Sequence, residues 1–396
     1  PQGSLRERSS PIPSMDTRSS AENGGSNRRC LPPGSLTAMD IRSLPKAVLH
    51  DHLDGGVRVA TVLELADEHG YTGLPADDAD ALTDWFDQGR SGSLERYLEA
   101  FEHTVAVMCS ETAIQRVAYE AGVDLAADGA VYAEIRFGPS LHMIHGLTRE
   151  ATIEAVLDGL DAAQRETGIV LYGIAAALRH ESDSEDVVRA AIPYLDRGLV
   201  AFDLAGPEAG FPADAHLAAC RLARDAGLGL TIHAGEADSA ESIWRAIARC
   251  GATRIGHGVQ IADETDFNGE TITELAPLAR RVRDHRIPLE VAITSNLNTS
   301  AAPSAAEHPF GALYRSGFNV SINTDNRLMS GITLADEYEL AAVTFDLGPN
   351  DLSTITVNAL EAGFGDWPTR RHLINSVVRP AYASAASSQA ATSDNT

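Results

Sequence analysis

Lysine is almost missing from this chain: of its 31 Lys and Arg residues only Lys46 is a lysine. Positive charge as a whole is short, since 56 Asp and Glu leave a formal net charge of −25 over 396 residues. A field of that sign repels phosphate polymers, so a nucleic-acid partner is excluded at the outset. No run of 18 apolar residues occurs, which removes a membrane-spanning helix and the membrane as an expected partner. Cysteine is sparse too. Cys30, Cys109, Cys220 and Cys250 form no CxxC pair, so neither a zinc knuckle nor a dithiol redox motif is expected, and dispersed thiols fit a reducing cytoplasm. What is present is the composition of a globular protein, 44% hydrophobic and 22% charged, with enough apolar mass for a large core.

Sequence complexity is low at both ends. Residues 1–40 are rich in Ser, Gly, Pro and Arg, and AYASAASSQAATSDNT runs from Ala381 to Thr396; both read as disordered, leaving 41–380 as one folded domain. Inside it, apolar runs rich in β-branched residues recur eight times, beginning near Ala47, Ala130, Ile169, Leu199, Leu228, Arg254, Pro288 and Phe318. Their unbroken apolar first halves suit strands buried on both faces, as parallel sheets require. Segments such as REATIEAVLDGLDAAQRET and DAHLAACRLARDAG lie between them with apolar residues at helical spacing and end in Gly or at a turn. Eight alternations of strand and helix predict a (β/α)8 TIM barrel in one domain. The first gap is far longer than one helix and holds VATVLELADEHG, ALTDWFDQGRSG and SLERYLEAFEHTVAVMCS. This helical insertion after strand 1 belongs on the catalytic face, where part of it would form a lid. Trp85 and Phe86 in it are lid candidates or packing residues.

Polar residues gather at the C-terminal ends of these strands, where barrel active sites are built. Strand one ends in His50, Asp51, His52, Leu53 and Asp54; in extended chain His50 and His52 share a face. Strand five ends in His233 and Glu236, strand six in His257, strand eight in Asp325 and Asn326. His69, His103, His216, His285 and His372 sit in helical, surface-like contexts and read as structurally incidental. Four histidines at one end of a barrel are hard to explain by burial, because a desolvated imidazole needs partners. Neutral imidazoles with a hard carboxylate suit Zn²⁺ or a similar divalent ion with a position open to water, whose pKa then falls to about 7. Water addition also needs an acid and a group that orients the water; Glu236 and His257 are the candidates.

The ordered motifs HDHLDG, DLAG, HAGE, IGHG, TSNLNT and NTDN resemble those of the adenosine deaminases, within the amidohydrolase superfamily, across the whole of 41–380. The resemblance implies zinc held by His50, His52, His233 and Asp325, with Asp325 also counted as catalytic and His52 as touching substrate. It implies that activated water adds to purine C6 while Glu236 protonates N1. His257 orients that water and stabilises its charge or takes its proton, and ammonia leaves. Adenosine, and 2'-deoxyadenosine, would become the inosine products in purine salvage. Asp54 matches the position that bonds the ribose, Gly206 the one whose N–H meets purine N3, and Asn326 the one facing N7. The family often has a second aspartate at that last position; an amide donates to N7 at any pH, whereas an Asp must be protonated first.

Many superfamily relatives bridge two metals with a carboxylated lysine near the end of strand four. Here that strand ends DLAGPE and Lys46 precedes strand one, so one zinc per chain is expected. Competing readings are a deaminase of adenine or of a 5'-modified adenosine, and a metal-stabilised binding protein without catalysis. Glu236 beside a full ligand set opposes the last, since a structural zinc is usually closed by four ligands. His142 and His145 have no assigned role, and oligomeric state is not legible.

Overall fold

The computed structural model describes residues 40–87, 94–267 and 271–393; the expected disordered segment before Asp40 lies outside them. All eight apolar runs form strands: β1 Lys46–His52, β2 Ala130–Phe137, β3 Val170–Leu178, β4 Leu199–Ala205, β5 Gly229–Ala234, β6 Arg254–His257, β7 Leu289–Val291 and β8 Val320–Ile322. They pair in sequence order, all parallel. The circle closes between β8 and β1, where Asp325 N donates to His50 O (2.9 Å), His52 N to Asp325 O (2.7 Å) and Leu49 N to Asn323 Oδ1 (2.8 Å). The (β/α)8 barrel read from the sequence is the fold observed, and among the described residues no helix is long and apolar enough to cross a membrane.

Helices cover the outer face. Arg149–Thr167, between β2 and β3, starts where Thr148 Oγ1 accepts from Ala151 N and stops at Gly168, whose φ of +79° suits glycine. It packs against Glu111–Ala127 so closely that a Cβ on Gly159 would meet the Gln115 carbonyl.

The barrel interior holds a network of charged side chains. Glu134 and Arg136 on β2, Asp203 on β4, Arg254 on β6 and Glu290 on β7 are all fully buried. Arg136 pairs with Asp203 (2.9 Å) and Glu290 (2.6 Å), and Arg254 pairs with Glu134 (2.6 Å) and Glu290. Burial alone would raise the Glu290 carboxyl, but the Arg254 and Arg136 guanidiniums hold it well below the usual range.

Several expectations on element bounds are corrected. The Ala381–Thr396 tail is not disordered as far as Ser393: Arg379–Ser393 is helix, because alanine is the strongest helix former and Tyr382 is buried against the core. Residues 394–396 lie outside the described residues. The run PLEVAITSNL is strand only to Val291, then turns into the helix Ile293–Asn298. SLERYLEAFEHTVAVMCS yields two helices, Leu94–Leu98 and Phe101–Val107. A small antiparallel hairpin, Thr265–Phe267 with Ile272–Leu275, was not foreseen. Lys46 is fully buried at the start of β1, its ammonium donating to Arg42 O (3.0 Å), Leu44 O (2.9 Å) and Asp128 O (3.0 Å).

Candidate active site

The C-terminal ends of β1 and β5 and the turn after β8 bring His50, His52, His233 and Asp325 together, one ligand atom from each lying within 4.8 Å of the others. Each of two rings is fixed from behind. His50 Nδ1 meets Glu290 Oε2 at 2.9 Å, and His233 Nδ1 meets the Asp203 carboxylate at 3.1 Å. A ring that donates Nδ1–H to a carboxylate presents a lone pair at Nε2. The His50 lone pair faces an acceptor, Asp325 Oδ1, at 3.2 Å without hydrogen-bond geometry, and the His233 lone pair lies 3.2 Å from His52 Nε2, itself 3.3 Å from Asp325 Oδ1. Opposed lone pairs in a desolvated site repel unless a cation sits among them, and tetrahedral ligands at zinc bond lengths are about 3.3 Å apart. The donor set therefore fits a divalent metal. Burial lowers the pKa of His50 and, further, of His52, which favours the neutral ligand form. At His233 burial acts the same way, but the Asp203 charge and hydrogen bond reverse it and raise the ring. Burial would raise Asp325 also, yet the charge of the neighbouring His50, His257 and His52 rings keeps it well below the carboxylate range.

Glu236 and His257 adjoin this cluster, with His257 Nε2 3.5 Å from Glu236 Oε2. Burial raises the Glu236 carboxyl against the opposing pull of His257. His257 and Asp325 are non-glycine residues at φ +59° and +57°. Left-handed backbone there costs on the order of 1 kcal/mol each and is a feature of functional sites. Gly256 allows the crowding: a Cβ would come 3.2 Å from His50 Cε1 and 3.1 Å from His233 Cα.

One short helix and the residue after it organise these groups. From Ile293–Asn298, Ser295 Oγ donates to Asp325 Oδ2 (2.6 Å) and Asn296 meets His257 Nδ1 (3.1 Å); Thr299 Oγ1 donates to Glu236 Oε1 (3.1 Å). Glu208, which sequence reasoning missed, accepts backbone N–H groups from Gly235, Glu236, Ala237 and Asp238 at 2.6 to 3.1 Å. It fastens the loop that carries Gly206 to the loop that carries Glu236.

Above these four ligands opens a cavity of about 310 Å³. His52, Asp54, Gly206, His233, Glu236, His257, Asp325 and Asn326 all line it, so the sequence-derived site residues converge, with His50 buried behind them. Asp54 Oδ1 is buried without a hydrogen-bond partner, and burial pushes this carboxyl up to about 6 against its backbone N–H bonds. Asn326 Oδ1 is likewise unpartnered. The insertion after β1 supplies one wall through Leu94, Tyr97, Leu98, Phe101, Glu102 and Val105. Tyr97, with no motif to reveal it, is buried against the Asn326 amide and bonds Ser330 Oγ at 2.9 Å.

Trp85 and Phe86 do not line the cavity; Phe86 is fully buried, and the pair packs edge-to-face at 5.2 Å. His142 and His145 also stay outside it, on the turn Pro139–His145; burial drops His142 to about 4, and His145 Nε2 meets Val105 O at 3.2 Å. Of the incidental histidines, His216 is buried rather than surface-like, held by Ser184 Oγ (2.8 Å) and Arg179 O (2.9 Å), and His103 is half-buried against Tyr71.

The adenosine deaminase family model matches residues 45–380. The adenosine deaminase of Mycobacterium marinum is 48% identical over 349 residues, 87% of this chain and 96% of that protein. Among solved structures, adenine deaminase from Arthrobacter aurescens superposes with a TM-score of 0.75 at 25% identity, covering 84% of this chain and 98% of that one. The Arabidopsis N6-mAMP deaminase gives 0.73 at 26% identity, covering 87% and 99%.

Proposed function

The chain belongs to the adenosine deaminase family, and from that membership we propose that it hydrolyses adenosine, and 2'-deoxyadenosine, to the inosine products and ammonia with one zinc ion. The observation that carries the proposal is the convergence of one ligand atom each from His50, His52, His233 and Asp325, with the His50 lone pair set against the Asp325 carboxylate, beside Glu236 at the floor of a cavity sized for a nucleoside. Zinc bound there would supply Lewis acidity, lowering the pKa of a coordinated water toward neutrality.

The chain's own groups account for the rest. Attack at purine C6 builds charge on N1, and Glu236, its Oε1 tethered by Thr299, offers Oε2 to deliver a proton there. His257 orients the attacking water. One proton of the attacking water replaces the one Glu236 gives to N1; as the C6–N6 bond breaks, the other passes from the added oxygen to the amino group, which departs as ammonia and leaves the 6-oxo product. Asp54, buried with an unsatisfied oxygen, accepts from a ribose hydroxyl. Gly206, at φ +91°, offers its peptide N–H to N3. An amide's oxygen and nitrogen occupy interchangeable positions, so Asn326 can take the Tyr97 hydroxyl on Oδ1 and donate Nδ2–H to N7. Asn326→Leu should therefore raise KM about tenfold, the worth of one buried hydrogen bond. Metal content should stay at the wild-type level. Steady-state kinetics with metal analysis decide; an unchanged KM removes Asn326 from the purine contacts.

A nucleoside is favoured over its competitors. No Lys or Arg among the described residues lines the cavity, so a 5'-phosphate would find no cation. Free adenine would leave Asp54 without a donor. The test is the ultraviolet change of adenosine becoming inosine, run beside 2'-deoxyadenosine, adenine and AMP, before and after chelation. Adenosine should be preferred, with activity lost on chelation and restored by one zinc per chain, because the only lysine, Lys46, bonds carbonyls at the opposite end of β1. Faster turnover of adenine or AMP, resistance to complete metal removal, or a requirement for two ions would overturn the proposal.

A further inference from the structure

His308 lies outside every motif and outside the cavity, yet it is 4% exposed and in line with the reacting groups. Its Nδ1 accepts from the backbone N–H of Phe310 at 3.1 Å. Its Nε2 meets Asn296 Oδ1 at 3.2 Å, and the Asn296 amide nitrogen meets His257 Nδ1 at 3.1 Å. A backbone N–H can only donate, and that fixes the direction of the whole chain of bonds. With Nδ1 an acceptor, His308 must carry its proton on Nε2 and donate to the Asn296 oxygen. The Asn296 NH2 then has to face His257. Turning the amide round would require both His308 nitrogens to accept, which a neutral imidazole cannot do. Burial, with the adjacent His257, pulls His308 down to about 3, so it stays neutral under ordinary conditions.

We infer that His308, acting through Asn296, holds the proton of neutral His257 on Nε2, so that His257 presents a donor to the attacking water and cannot take its proton. This rests on the deaminase reading above. It decides between two roles otherwise open to His257: orienting and electrostatic support remain, and the proton released by the water restores Glu236, 3.5 Å from His257 Nε2, in place of the one given to N1. His308 and Asn296 are positioning residues; neither touches substrate.

The direct test is a long-range ¹H–¹⁵N correlation spectrum of zinc-loaded protein carrying ¹⁵N-histidine, with His257 assigned by its loss in H257Q. Nε2–H with a bare Nδ1 is the expected pattern, and a proton on Nδ1 overturns the inference. In N296D the carboxylate accepts from both rings, so the His257 proton should move to Nδ1. Turnover should then fall about 100-fold, with KM within a few-fold, as befits a misplaced proton. Wild-type turnover in an N296D protein whose His257 proton has moved would overturn it as well. H308Q, whose amide N–H still donates to Asn296, should keep the wild-type His257 signal, and H308L should lose its uniqueness. An Nε2–H signal in a protein inactive on adenosine would sink the deaminase reading and leave the hydrogen-bond chain standing.

Discussion

Glu236→Gln should retain its metal, its fold and its affinity for adenosine, and lose roughly 10³-fold in kcat, the usual worth of a positioned acid–base group. The amide is the same size and its oxygen can still accept from Thr299, so the tether survives. Glu208 holds the loop through backbone N–H groups, which the substitution leaves in place. What disappears is the exchangeable proton that N1 needs as water adds at C6. Metal analysis beside single-turnover kinetics separates the cases: near-normal turnover in a metal-replete variant would reduce Glu236 to a hydrogen-bonding prop.

Glu290→Gln should act on stability before it acts on chemistry. Its carboxylate receives Arg136, Arg254, Thr231 and His50, with no exposure to solvent. A neutral amide leaves two buried guanidiniums short of counter-charge, and breaking a buried pair in this way costs about 3–5 kcal/mol. The amide can also turn its NH2 to His50 Nδ1, which would push the ring proton to Nε2 and spoil the ligand. Metal affinity should fall about 10–100-fold, the effect expected when the group behind a ligating His is lost. Thermal unfolding with and without added zinc checks both. A variant as stable as wild type would mean that the Arg136 and Arg254 charges are already neutralised by Asp203 and Glu134 alone.

These two residues illustrate what the sequence discloses. Glu236 was legible because it follows His233 at the end of an apolar run, where a polar residue has no packing reason to be. Glu290 was not, because it lies inside the apolar run at Leu289–Val291 and its meaning comes from Arg136, 154 positions away. The barrel itself was legible for the same local reason, since strands buried on both faces announce themselves as apolar runs. TSNLNT was recognisable only as a fingerprint: nothing in its spelling says that the ladder ends at Val291 and that a six-residue helix and the residue after it then turn Ser295, Asn296 and Thr299 toward three different active-site groups. Tyr97, Glu208 and His308 escaped notice because each works through a contact that only the closed barrel creates. The alanine-rich tail misleads because low complexity suggests disorder, while alanine's helix propensity and the burial of Tyr382 against the core favour order.

The burial of Lys46 bears on how this protein can be handled. Its ammonium is spent on three carbonyls at the barrel floor, and burial lowers it to about 8. No lysine side chain is therefore offered at the surface. Acylating labels, aldehyde cross-linkers and amine-coupled supports will find no lysine to react with while the barrel is folded, and a lysine that becomes reactive will report that the floor of the barrel has opened.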